Sequence, residues 1–224
     1  MLSPKYSATH YFHSVRATLS KEAVAPHTID LFVDYNCPFS ATMFFKMNST
    51  VIPTLQEKHP NKFQFVFVNV VQPWHTNSVL LNEFAIVAAQ LIKSNQQEPE
   101  SNQTFWELSK VLFENKEKFY DTANAEYTRN QIYAQIYQVV AKDLKLPFGE
   151  DDILSKLQFE QREISEKQDN AGNAATPDIK YFTRYLRGVG VHMTPSVTVN
   201  GILDNSISSA NEPDELVKKF ESQL

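Results

Sequence analysis

Cysteine is almost missing from this chain of 224 residues: only Cys37 is present. No internal disulfide can form, and a two-thiol redox cycle run within the chain is excluded by counting. Disulfide frameworks mark oxidising compartments, so their absence favours a reducing one; we expect the cytoplasm, with the mitochondrion as the alternative. The alternative rests on residues 1–21, which lack Asp and Glu and carry Lys5, Arg16 and Lys21 among several Ser and Thr, a faint leader pattern. Glycine is scarce as well, five in all, and no phosphate-cradling glycine motif is present. The six histidines show no ligand spacing, so no metal is expected. Basic residues number 21 against 26 acidic ones, a net charge of −5, with no basic run. Nucleic acid is therefore not an expected partner. No apolar stretch reaches the length of a bilayer span, and none near the start forms a signal core, so no membrane partner is expected.

What is present is an ordinary globular composition, 42% hydrophobic and 12% aromatic, long enough for one domain with an insertion. The apolar run Thr28–Tyr35 reads as a buried strand, followed by Cys37-Pro38-Phe39-Ser40 at the head of a helix-like segment. A helix N-terminus presents unpaired N–H groups and a positive dipole end, which favour thiolate over thiol in a first-turn cysteine. A buried, inert sulfur is the other reading of Cys37. Pro38 suits the first turn, where its missing N–H costs nothing. Phe39 either shields the sulfur or packs. Ser40 either donates a hydrogen bond to the sulfur from the same helix face or satisfies a backbone group.

Two further segments belong with these. Met193-Thr194-Pro195 leads into the alternating run Ser196–Val199, and Asn200-Gly201 supplies a hairpin turn. A proline cannot donate to a strand ladder and belongs at its start or edge, and an X-Pro step tolerates the cis form. Gln72-Pro73-Trp74-His75 follows a second apolar strand, Phe63–Val71, at the end of the sheet where open α/β folds bind ligands. There His75 is a candidate base, or a cation beside Cys37, and Trp74 either an apolar wall or a half-buried anchor for the loop. Between residues 78 and 188 the spacing is helical, with Leu80, Leu81, Phe84, Ala85 and Ala88 in one helix, Phe105, Trp106, Leu108 and Leu112 in a second, and Tyr133, Ile136, Tyr137 and Val140 in a third. Thr176-Pro177-Asp178 reads as an N-cap opening a further helix that stops at Gly188, and a last helix falls near Pro213–Ser222. Tyr11–Val15 reads as an added edge strand.

In this order, the strand through Leu31-Phe32-Val33-Asp34, the tetrad at Cys37, the strand from Phe63 and the Thr194-Pro195 loop resemble the DsbA-like branch of the thioredoxin superfamily. The resemblance implies an α/β, thioredoxin-like fold with an inserted all-helical domain: residues 1–77 and 189–224 form the two parts of the thioredoxin-like domain and 78–188 the insertion. It also implies a cis-proline loop beside the sulfur, with Thr194 offering backbone groups to an extended substrate. The chain departs from the pattern at Ser40, where redox members carry a second cysteine. What the resemblance then implies is single-sulfur chemistry on a small thiol or peptide disulfide, through a mixed disulfide resolved by a second thiol, with glutathione as cofactor. Cys37 and Ser40 would be catalytic, and Pro38, Phe39, Trp74, His75, Thr194 and Pro195 would line the substrate or glutathione site. A resemblance in plan to kappa-class glutathione transferases and 2-hydroxychromene-2-carboxylate isomerases implies a second activity, on a small electrophile. A third reading is a thioredoxin fold kept for binding or redox sensing without turnover. The oligomeric state is left open.

Overall fold

A computed structural model describes residues 2–14, 25–160 and 162–224. The sheet has strand order β2-β1-β3-β4, with β1 at His27–Val33, β2 at Phe63–Asn69, β3 at Ser196–Val199 and β4 at Ile202–Leu203. β1 and β2 are parallel, with Ile29 opposite Phe65 and Val33 opposite Asn69, and every residue of β2 is buried. Burial on both faces explains why these strands read as continuous apolar runs and not as alternation. β3 returns antiparallel to β1, and Asn200 and Gly201, with φ of 52° and 83°, make the tight turn into β4.

α1 (Pro38–Lys46) continues through a π turn at Met47–Val51 into α2 (Ile52–Lys58), which leads back to β2. Between β2 and β3 lie α3 (Ser78–Asn95), α4 (Glu100–Glu114), α5 (Arg129–Asp143), α6 (Glu150–Leu157) and α7 (Thr176–Gly188). α8 (Pro213–Glu221) closes the chain. The fold is α/β, the DsbA-like form of the thioredoxin fold. α6 gave no sequence signal because its eight residues bury only Ile153 and Leu157. Thr176 proves to be the first residue of α7 and not its N-cap; its Oγ1 accepts the N–H of Asn173 instead. Among the described residues no helix is long and apolar enough to cross a membrane.

Aromatic side chains join the sheet to the helices. Phe44 of α1 packs on Phe113 of α4 with ring centroids 4.9 Å apart, and Phe67 of β2 meets Phe105 edge-on at 5.6 Å. Each such fully buried ring contributes roughly 1.5–3 kcal/mol. The expected edge strand at Tyr11–Val15 is a single bridge, Tyr11 to Val66, flanked by Phe12 N–H to Phe65 O and Phe67 N–H to His10 O. Val15, and with it residues 15–21 of the leader-like stretch, lie outside the described residues.

One charge is buried inside the sheet. Asp30 of β1 is fully covered; its Oδ2 accepts from Tyr185 at 2.7 Å and Thr198 at 3.0 Å, while Oδ1 has no partner among the described residues. Burial pushes its carboxyl above the usual range, against the two hydroxyls that lower it. A folded value above the unfolded one means the native state binds more protons, so stability falls as pH rises through that window. Asp30→Asn keeps an acceptor for both hydroxyls and removes the charge. We expect it to raise the unfolding free energy from urea titration at pH 7 by about 1 kcal/mol and to flatten the loss of stability above pH ~4; a lower urea midpoint at pH 7 would contradict this account.

Candidate active site

The site is assembled on Asp34, the first residue after β1, whose side chain is fully buried. Its Oδ1 accepts the N–H of Asn36 at 2.9 Å and the hydroxyl of Ser78 at 2.7 Å. Oδ2 accepts the N–H of Gln72 at 3.1 Å and Nδ1–H of His75 at 2.9 Å. Four donors converge on two oxygens, which leaves the imidazole hydrogen on Nδ1 and Nε2 as the ring's free nitrogen. The backbone of Asp34 is used as well. Its N–H donates to Ser40 Oγ at 3.2 Å, and its carbonyl accepts the N–H of Cys37 at 3.0 Å.

That last bond sets Cys37 as the extended N-cap of α1, with Pro38 opening the first turn. Cys37 is 4% exposed, and its sulfur lies 3.4 Å from the carbonyl oxygen of Thr194, to which the thiol donates. The Thr194–Pro195 peptide is cis. Gln72 reaches across to the carbonyl of His192 at 3.4 Å, so the loop after β2 braces the segment that enters β3. The structure thus brings Cys37, Thr194 and Pro195 together.

The other expected site residues divide. Ser40 is fully buried and makes no hydrogen bond to the sulfur; its hydroxyl serves Asp34, so it holds the loop and does not contact the thiol. Phe39 is 64% exposed, so it does not pack in the core. Trp74 is 61% exposed, which corrects its reading as a half-buried loop anchor. With Met193 it leaves three large apolar side chains in solvent on the segments around Cys37 and Thr194. His75 bonds to Asp34 and not to Cys37, and it lines a cavity of about 340 Å³ together with Asn36, Pro38, Tyr120, Asp121 and Thr122.

Sequence reasoning missed Asp34, Asn36 and Tyr120 as site residues. An acid ending an apolar strand was the available signal for Asp34. Tyr120 comes from the turns after α4 and carried no signal. It is placed by the carbonyl of its neighbour Phe119, which accepts from Nδ2 of both Asn36 and Asn77 at 3.1 Å. Its phenol is pushed above the usual range, first by burial and then by Glu117 and Cys37. Tyr120 therefore stands within electrostatic reach of the sulfur.

No protein-family model and no curated protein sequence matches the chain. Solved structures do. The chain is similar to a candidate protein-disulfide isomerase from Pseudomonas syringae, with TM-score 0.65 and 20% identity over 88% of this chain and 94% of that one. It is also similar to oxidised BdbD from Bacillus subtilis, with TM-score 0.57 and 21% identity over 99% and 94% of the two chains. DsbA from Chlamydia trachomatis is a third, at TM-score 0.56 and 13% identity over 99% and 95%. At these identities the likeness is one of fold.

Removing the Asp34 carboxylate leaves its buried donors without an acceptor. We expect Asp34→Ala to cost about 3 kcal/mol or more in urea unfolding and to speed alkylation of Cys37 by loosening its loop. An unchanged midpoint together with an unchanged alkylation rate would show that the carboxylate does not organise the site.

Proposed function

We propose that this chain is a thiol-disulfide oxidoreductase or isomerase that works through Cys37 alone on mixed disulfides, with glutathione as the thiol partner. The observation that carries the reading is the sulfur at the N-cap of α1, against the Thr194 carbonyl of a cis-proline loop. The Thr194–Pro195 backbone beside the sulfur can align an extended disulfide substrate by strand-like hydrogen bonds. The solved structures of like fold include a candidate protein-disulfide isomerase and a thiol-disulfide oxidoreductase, MdbA from Corynebacterium diphtheriae, at TM-score 0.54.

The Cys37 thiolate attacks one sulfur of R–S–S–R′, giving Cys37–S–S–R and releasing R′–S⁻, which takes a proton from solvent. A second thiol then attacks the R sulfur and releases Cys37. Disulfide and thiol are exchanged with no net change of oxidation state, so the cycle needs no second cysteine in the chain. Ser40 is a positioning residue here, acting through Asp34. The reducing compartment expected from the cysteine count, the cytoplasm or alternatively the mitochondrion, would supply the glutathione. One observation favours a second reading, binding without turnover: only 4% of Cys37 is exposed.

Cys37→Ser is expected to abolish turnover of a glutathionylated peptide, and the native protein to give a one-glutathione adduct by intact mass after oxidised glutathione. Turnover that survives Cys37→Ser would overturn the enzymatic reading. No adduct, with peptide affinity independent of Cys37, would establish the binding one.

A further inference from the structure

We propose that the cavity between the N-terminal segment and α4 binds a neutral, sugar-sized polyol. It is a second site, independent of the single-sulfur reading: Cys37, His75 and the Thr194–Pro195 loop take no part in its lining. Its volume is about 450 Å³, within the range of about 300 to 1,000 Å³ usual for small-molecule sites.

The apolar part of the cavity is a corner. Phe12, from the segment that bridges to β2, and Trp106 of α4 meet edge to face, with centroids 4.8 Å apart and planes at 81°. Trp106 is 3% exposed and Phe12 half-buried, so the indole lies deeper. Two perpendicular rings leave no parallel slot for a flat aromatic base. A saturated ring, which carries C–H groups on its face, packs against the negative face of either aromatic.

The polar part is built of amides. Asn48 on the π turn after α1, Asn61 before β2 and Gln103 on α4 all line the cavity, and their side chains hydrogen-bond to nothing among the described residues. Each amide offers both donors and an acceptor. Vicinal hydroxyls have the same double character, so amides and hydroxyls pair without a charge on either side.

The charge of the lining points the same way. Among the described residues no Lys or Arg lines the cavity, which leaves a phosphate or carboxylate without a counter-ion. Glu107 is the one acid there, and it is paired with Lys110 at 3.6 Å. Burial lowers the imidazole of His13 below its ordinary value, toward the neutral form. A neutral ligand enters such a lining without leaving a charge unpaired.

The test is binding to the full chain carrying Trp74→Phe, which leaves Trp106 as its only tryptophan. Glucose, galactose, mannose and myo-inositol are titrated through the millimolar range, with Trp106 emission and saturation-transfer NMR as separate readouts. At least one of the four should give a saturable signal. Gln103→Leu, on the exposed side of α4, should weaken that binding about tenfold. Asn61→Gly, which tolerates the positive φ of 62° at that position, should weaken it as well, and urea midpoints near the parent's would show that both variants fold. Tetramethylammonium and inorganic phosphate should not compete, and Cys37→Ser should bind as the parent does. No saturable signal with any of the four in either readout would overturn the proposal. So would parental affinity in both amide variants, or loss of binding in Cys37→Ser, which would move the ligand to the sulfur.

Discussion

The buried carboxylate of Asp34 is the constraint on which the site depends. An ionised group removed from water costs several kcal/mol unless its oxygens are fully hydrogen-bonded, and here the four donors come from three separate pieces of chain: the Cys37 loop, the loop after β2 and the start of α3. None of these pieces can drift without leaving the charge underserved. The cost of burying Asp34 is thereby converted into a fixed geometry for a loop that no disulfide holds. The backbone of the same residue sets Cys37 and takes up Ser40.

The same logic of committed polar groups fixes the helices to the sheet. Nε2 of His10 meets Asn69 at the end of β2, Asn69 donates to Asn82 of α3, and Asn82 donates back to the carbonyl of Val70. His10 is wholly enclosed between Phe105 and Phe182, and burial takes its imidazole down to about 3, so it stays neutral at physiological pH. Tyr35, one residue past Asp34, shares a hydrogen bond with Ser109 of α4 at 2.9 Å. The joint between sheet and helices therefore runs directly behind the Cys37 loop, and the cavity opens at that joint. The cavity there draws Tyr120 from one segment and Asn36 and Pro38 from another, although the two are distant in sequence.

This division explains what was readable beforehand. β1, β2 and the larger helices declared themselves because burial imposes a period, or an unbroken apolar run, on the sequence, and the Thr194-Pro195 and Asn200-Gly201 steps carried backbone chemistry in their residue types. α6 did not, being too short for a period. For Ser40 and Trp74 the sequence leaves two readings open; in the fold the Ser40 hydroxyl accepts a backbone N–H and the Phe39 and Trp74 rings project into solvent. Whether a hydroxyl faces a sulfur or a backbone N–H, and whether a ring packs or projects, is decided by the rotation of a helix or loop by a few tens of degrees, which no local pattern encodes. Asp34 was quoted as part of a strand when it is the hub of the site, because a lone acid at a strand end looks the same whether solvated or buried. Tyr120 could not be found at all, since its place follows from two asparagines that meet one carbonyl only in the folded state.

Replacing the second cysteine by serine changes what the surrounding protein must supply. In a two-thiol site the resolving sulfur is tethered, and its effective concentration does the work of bringing it in. On the single-sulfur reading proposed above, with Ser40 in that position, the attacker comes from solution. Thiol-disulfide exchange is close to balanced in energy, so on that reading the protein gains little by binding either disulfide tightly. On the proposed single-sulfur reading, the position that would hold a tethered thiol serves structure instead: Ser40 accepts the N–H of Asp34 and so helps to fix the loop that presents Cys37.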